Sequence, residues 1–187
     1  MYRYQFQPEK GKVNKKCLDQ ENHKLQIYEE GILLYKEKNY ALAINFFTET
    51  INSSPLKFLT ELEYVNLYNL RANAYNYLTM HKEAFNDLTI ALKIKPNDSV
   101  LYFNRGFTSF LNGQIPSAII DFNTAINYKK DPIYYYRRGI AKKVLRKYND
   151  ALNDFNIAIK YDSNNELFVK ERRDTLKQII NLKNKKV

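Results

Sequence analysis

The sequence predicts an all-α protein built from antiparallel helix-turn-helix repeats that stack into a solenoid. Three observations carry that prediction. Four columns of residues recur together: Gly31, Ala72, Gly106 and Gly139; Ala43, Ala84, Ala118 and Ala151; Phe47, Leu88, Phe122 and Phe155; Thr50, Ala91, Ala125 and Ala158. All four advance along the chain in the same three steps, a long one followed by two nearly equal shorter ones, and a shared period of this kind is the signature of a repeat array. Second, each unit's later segment reads small, large, small at i, i+4 and i+7, which puts all three side chains on one helical face. Third, 187 residues hold only 5 Gly and 5 Pro, too few for turn-dense β folds or a collagen-like chain, while 44% hydrophobic residues suffice for a core.

The expected elements follow in order. Residues 1–23 read as a polar arm. Helices are expected at 24–37, 40–52, 61–79, 82–94, 98–112, 115–128, 132–146, 148–161 and 164–183, as four hairpins and a final helix. The first segments carry their own helical stripes, Tyr68, Arg71, Ala72 and Tyr75 in the second unit and Tyr135, Arg138, Gly139 and Lys142 in the fourth. Connections at Lys38-Asn39, Met80-His81, Asn112-Gly113 and Arg146-Lys147 are short enough to force antiparallel neighbours. Gly113 suits a left-handed helix end, Pro116 suits a first turn, and Asp131 before Pro132 reads as an N-cap. Thr60 with Glu63, and Ser163 with Glu166, have capping-box spacing. The repeats are bounded at 24–57, 58–97, 98–131 and 132–163. Seven extra residues around Lys57–Tyr64 lengthen the second unit, and residues 164–187 form a capping helix with a basic tail.

These columns resemble the tetratricopeptide repeat family, whose unit of about 34 residues carries W-x2-L-G-x2-Y, then A-x3-F and a late Pro. Tyr102-x2-Arg-Gly106 with Ala118-x3-Phe122, and Tyr135-x2-Arg-Gly139 with Ala151-x3-Phe155, are the best matches. Pro55 and Pro96 stand at the late Pro site, where Lys130 and Ser163 replace it in the other two units. The first unit departs most, with Ile27 at the aromatic site and Glu30 at the Leu site. The resemblance spans residues 24–163. It implies a right-handed superhelical stack whose first helices line a concave groove, and a protein-interaction module of scaffold, adaptor or co-chaperone type.

No catalytic constellation appears. His23 and His81 lack Cys or carboxylate company at ligand spacing, and the lone Cys17 has no placed base. No phosphate-loop, dinucleotide or nucleophile-elbow motif occurs. The reading is a non-enzyme without metal or cofactor. A single cysteine, no apolar leader and no apolar run approaching the ~20 residues of a membrane span point to the cytosol or nucleus, and the expected location is cytoplasmic.

Function is therefore sought on surfaces. The implied groove is lined by Leu25, Tyr28, Ile32 and Tyr35 of the first unit and by Asn66, Asn69, Asn73 and Asn76 of the second. The third and fourth units add Val100, Phe103, Asn104, Phe107 and Phe110, then Ile133, Tyr136, Arg137, Ile140 and Lys143. Side-chain amides can both donate to and accept from an extended backbone, although 22 Asn in the chain make Asn common on any wet face. The three phenylalanines need either a partner or a neighbouring hairpin.

Co-chaperones of the resembled family clamp the acidic C-terminal tail of a heat-shock chaperone. Carried onto this chain, that pattern falls on Asn73, Asn104 and Arg137, with Asn69 and Ile133 in place of two lysines. Charge is uneven as well: residues 132–163 and 164–187 each carry +4 of the net +10. Arg138, Lys142, Lys143, Arg146 and Lys147 form a candidate basic patch. It supports a second reading from another class, nucleic-acid binding, while a structural subunit of a larger assembly is the alternative within the first class. Oligomeric state is open.

Overall fold

A computed structural model describes residues 15–53 and 59–184, with side chains for 25–53 and 59–184. Among the described residues all regular structure is α-helical, and the chain divides into two compact units at Thr60/Glu61. The expected arm lies partly outside the described residues, as do positions 57 and 58 of the insertion.

The first unit is one hairpin, α1 (Lys15–Lys36) and α2 (Tyr40–Ser53). Helix α1 begins well before the expected start at 24, so the expected arm of 1–23 is helical from Lys15 onward. Ala43, Phe47 and Thr50 of α2 are buried, and the Thr50 hydroxyl donates to Phe46 O at 2.8 Å, which makes a polar residue tolerable at a small apolar site.

The second unit holds three hairpins and a further helix: α3 (Glu61–Tyr77) with α4 (His81–Ile94), α5 (Ser99–Leu111) with α6 (Ile115–Tyr128), α7 (Pro132–Val144) with α8 (Tyr148–Tyr161), then α9 (Glu166–Asn184). Each second helix also packs on the first helix that follows it, so consecutive pairs stack. The column Leu67, Leu101, Tyr134 and Phe168 is buried, as is the column Ala74, Thr108, Ala141 and Thr175 two turns later. No hairpin could bury its apolar face alone; the stack makes the core continuous.

All four hairpin connections close the same way. Lys38, Thr79, Gly113 and Arg146 take φ of 64, 61, 74 and 58°, and they are spaced along the chain as the small-residue columns are. Each N–H donates three residues back, and the next N–H donates five residues back, as Gly113 to Phe110 O and Gln114 to Ser109 O. This double bond pattern caps the first helix and reverses the chain. Only Gly113 takes the left-handed conformation without steric cost. The β-branched Thr79 is the most strained of the four.

Helix starts are set by Asp98 and Asp131. The Asp98 carboxylate accepts from Val100 N at 2.9 Å and Leu101 N at 3.2 Å, and Asp131 accepts from Ile133 N at 3.1 Å. The expected capping box at Ser163 is not the start of α9: the helix begins at Glu166, the Ser163 hydroxyl turns to Asn164, and Asn165 donates to Asp162 at 3.0 Å.

Inside each hairpin the large residue of the second helix lies on the small residue of the first. A methyl group added at Gly139 would stand 2.7 Å from Phe155 Cε1, at Gly106 3.0 Å from the Phe122 ring, and at Gly31 2.8 Å from Phe47. The remaining pairing, Ala72 with Leu88, has a larger first residue against a smaller second one. Gly139→Ala should therefore cost about 1–3 kcal/mol by overpacking. Gly139→Ala combined with Phe155→Leu should cost less than the sum of the two single changes by at least ~0.5 kcal/mol, read from urea unfolding of all three variants.

Partial burial raises the Asp98 carboxyl, but hydrogen bonds from Lys95, Leu101 N and Val100 N outweigh it, so the group titrates below its ordinary value. Its stabilisation is then full above the unfolded carboxyl value and fades as pH falls through the lower folded value. Asp98→Ala should cost about 1 kcal/mol at pH 7 and progressively less as the pH is lowered below the ordinary carboxylate range, measured by denaturant unfolding across a pH series.

Candidate functional site

The face made by α3, α5 and α7 is the candidate site, because these first helices lie side by side along the second unit. Beneath it runs an ionic ladder. Arg71 donates from Nε and Nη2 to the two carboxylate oxygens of Asp87, both at 2.7 Å. Arg105 holds Asp121 at 2.9 and 2.8 Å, and Arg138 holds Asp154 at 3.0 and 2.6 Å. Each pair ties the two helices of one hairpin together. Asp87, Asp121 and Asp154 are buried.

Burial pushes the Asp87 carboxyl above its ordinary value, with Arg71 only partly offsetting it. For Arg71 burial acts downward, but the hydrogen bond and charge of Asp87 prevail and the guanidinium titrates higher than usual. The bond to Asp121 does the same for Arg105. Such pairs fix geometry more than they add net stability, since desolvation consumes much of the attraction.

The ladder corrects the expected basic patch. Arg138 is not a free cation: Asp154 and Asn123 occupy its donors. Lys142 Nζ sits 2.8 Å from the same Asp154, and Lys143 Nζ pairs with Glu171 of α9 at 2.6 Å. Arg146 forms the left-handed turn, and Lys147 precedes α8 as its N-cap residue; both are exposed. The five residues do not form one uncompensated surface.

The amide stripe is likewise partly structural. Asn104 Nδ2 donates to Asn69 Oδ1 at 2.8 Å, and Asn76 Nδ2 donates to Thr108 Oγ1 at 2.7 Å, so both bonds clamp α3 to α5. Asn76 also meets His81 Nδ1 at 3.1 Å. Asn66 is exposed, and half-buried Asn73 makes no side-chain hydrogen bond among the described residues.

Of the two readings of the aromatic group, the neighbouring hairpin is the one the packing follows. Phe103 stacks on Tyr134 at 4.7 Å between ring centres, and Phe103, Phe107 and Phe110 pack against the cluster of Ile115, Ala118, Phe122 and Ala141. Tyr136 is buried, 5.0 Å from Phe168 and 6.0 Å from Phe155, and Ile140 packs against the same core. These rings mostly fill the seams between hairpins instead of awaiting a partner.

Arg137 stands apart. Its guanidinium lies 4.7 Å above the Phe107 ring and 5.6 Å from Tyr136, and its buried Nε has no hydrogen-bond acceptor. Among the described residues no carboxylate pairs with it. The cation is held by ring quadrupoles, with Asn73 and the Asn69–Asn104 pair on the same face.

The Arg–Asp ladder itself was missed from sequence. Its signal was present: Arg71, Arg105 and Arg138, and Asp87, Asp121 and Asp154, repeat with the same spacing as the small residues. Asp121→Leu alone should cost on the order of 3 kcal/mol by stranding Arg105, while Arg105→Met with Asp121→Leu should recover most of that in thermal unfolding.

No family model matches the chain. A DnaJ homolog subfamily C member 7 homolog of Dictyostelium discoideum is 34% identical over 98 residues, which are 51% of this chain and 17% of that relative. The chain thus spans well under a third of the curated relative that it matches. The first repeat domain of Spaghetti (RPAP3), solved bound to the HSP90 peptide SRMEEVD, is 24% identical with a TM-score of 0.61 over 63% of this chain and 94% of that one. YrrB, described as having an unusual peptide-binding site, superposes with a TM-score of 0.69 at 17% identity, over 79% of this chain and 73% of YrrB. MamA of Desulfovibrio magneticus RS-1 gives 0.67 at 16% identity, covering 76% and 77%.

Proposed function

We propose that this chain, which has the tetratricopeptide-repeat fold, is a protein-interaction module that receives an acidic peptide segment on the α3/α5/α7 face. One observation carries the reading: Arg138, Lys142 and Lys143 all have carboxylate partners, whereas Arg137 has none among the described residues and is held by Phe107. A guanidinium with a buried, unsatisfied Nε is an incomplete ion pair, and a bidentate carboxylate completes it. Asn73 supplies a free amide on the same face, and the amide nitrogen of Asn69 and oxygen of Asn104 keep bonding capacity for a peptide backbone.

The peptide held by the Spaghetti domain ends Glu-Glu-Val-Asp, and it supports an acidic tail as the ligand class here. This chain departs from the two-lysine clamp, with Asn69 and Ile133 at those sites, so Arg137 carries the charge recognition alone. That makes affinity modest and dependent on one side chain. The role is scaffold- or co-chaperone-like, in the cytoplasm, without catalysis.

Fluorescence anisotropy with labelled SRMEEVD should show saturable binding. Arg137→Ala should weaken it at least ~10-fold, about 1.4 kcal/mol, and amidation of the peptide C-terminus should weaken it as well. Unchanged affinity in Arg137→Ala would remove this reading.

A further inference from the structure

Helix α9 repeats the register of a first helix but has no second helix of its own among the described residues. Among the residues of α7 that meet α8 are Tyr135, Arg138, Gly139 and Lys142. One repeat further along the chain, the same side of α9 presents Val169, Arg173 and Leu176, and Ile180 continues it one turn further. Leu176 and Ile180 are 40 and 54% exposed, and Val169 is half-buried. A solvated helix face carries polar residues; this one carries an apolar strip interrupted by Arg173.

The arginine column also continues. Arg71, Arg105 and Arg138 each hold a second-helix aspartate, and Arg172, one repeat after Arg138, has a buried Nε without an acceptor. Arg173 is exposed beside it, Lys170 and Lys177 border the strip, and residues 164–187 carry a net +4. A hollow lined by Ser163, Asn164, Glu166, Val169, Lys170 and Arg173 opens at the N-terminal end of this side.

From this we infer that the outer side of α9 docks an acidic amphipathic helix from a partner protein, seated against α9 as α8 is seated against α7. One partner carboxylate takes Arg172, as Asp154 takes Arg138. The partner differs in kind from the chain's own second helices. In those, a large residue lies on a glycine or alanine, so tightly that a methyl group at Gly139 would come within 2.7 Å of Phe155. Arg173 fills that position in α9, which excludes a ring there and favours a second carboxylate adjacent to the first. Apolar residues a turn to either side then cover Val169, Leu176 and Ile180. This surface is separate from the Arg137 face, and its test does not depend on that proposal.

The probe is a stapled, labelled helix with the sequence of α8, Tyr148–Tyr161, carrying Phe155→Glu so that Asp154 is followed by a second acid. Titrated against the full chain, it should bind at least ~10-fold tighter than the unsubstituted α8 helix. Arg172→Gln and, separately, Ile180→Glu should each reduce binding ~10-fold or more. Ile180 is exposed enough that its substitution leaves the fold intact, which circular dichroism verifies. Equal affinity of the two helices, or binding indifferent to both variants, overturns the inference. So does sedimentation equilibrium that shows self-association abolished by Ile180→Glu, because the occupant is then a second copy of this chain.

Discussion

The architecture depends on one contact, the large side chain of each second helix pressed onto the smallest residue of the first. Phe155 on Gly139, Phe122 on Gly106 and Phe47 on Gly31 leave no space for a methyl group. The contact sets the distance between paired helices, and that distance permits the other short-range links. At a wider separation Arg138 and Asp154 would no longer meet at 2.6 Å, nor would the small residues at Ala151 and Ala158 let neighbouring helices come close. Ala72 with Leu88 shows that the combined volume across the contact is what matters: the first residue gains a carbon where the second loses a ring. Close-packed interiors tolerate such exchanges and resist uncompensated ones.

Spacing then decides the electrostatics. A basic chain would be expected to expose a field of like charge, yet the second unit places carboxylates from the second helices directly under arginines of the first. Lys142 shares Asp154, and Glu171 reaches from α9 to Lys143. What remains is discrimination among cations adjacent in sequence. Arg137 and Arg138 differ by about 100° around α7. One enters the hairpin interior and meets Asp154, while the other turns to Phe107. With Arg138, Lys142 and Lys143 paired, Arg137 is the cation of α7 that has no carboxylate partner among the described residues, and this contrast is what the proposed acidic-ligand reading rests on.

How much of this was legible follows from which quantities a sequence encodes. Period and helical face are encoded, so hairpins, connections and the N-caps at Asp98 and Asp131 could be read from residue columns. The start of α1 was not, because Lys15–Lys24 has no apolar stripe and only the helix's backbone continuity extends it. The site suffered from a different loss. Angular position on a helix says that Phe103, Phe107 and Phe110 share a side, but not that Tyr134 of the next hairpin has already closed over one of them. Asn69 and Asn76 looked like free amides for the same reason: their partners, Asn104 and Thr108, are one repeat away. The aspartate ladder was encoded and unread, since a column of Asp resembles ordinary solvent-facing residues until its arginines are aligned with it.

Ligand-binding capacity in a stack of this kind is therefore best sought where a repeating interaction is interrupted. Where a repeat assigns each donor an acceptor one helix or one hairpin away, a residue that breaks the assignment is informative in a way that an exposed residue is not. Arg137 interrupts it on the first-helix face, and Arg172 on α9. Both are guanidiniums whose Nε is shielded from water, so leaving them unmatched costs more than leaving an exposed lysine unmatched. Leu176 and Ile180 add the apolar counterpart at the second position, as exposed residues on a helix otherwise in register. The regularity that builds the fold thus also marks where the chain is chemically incomplete.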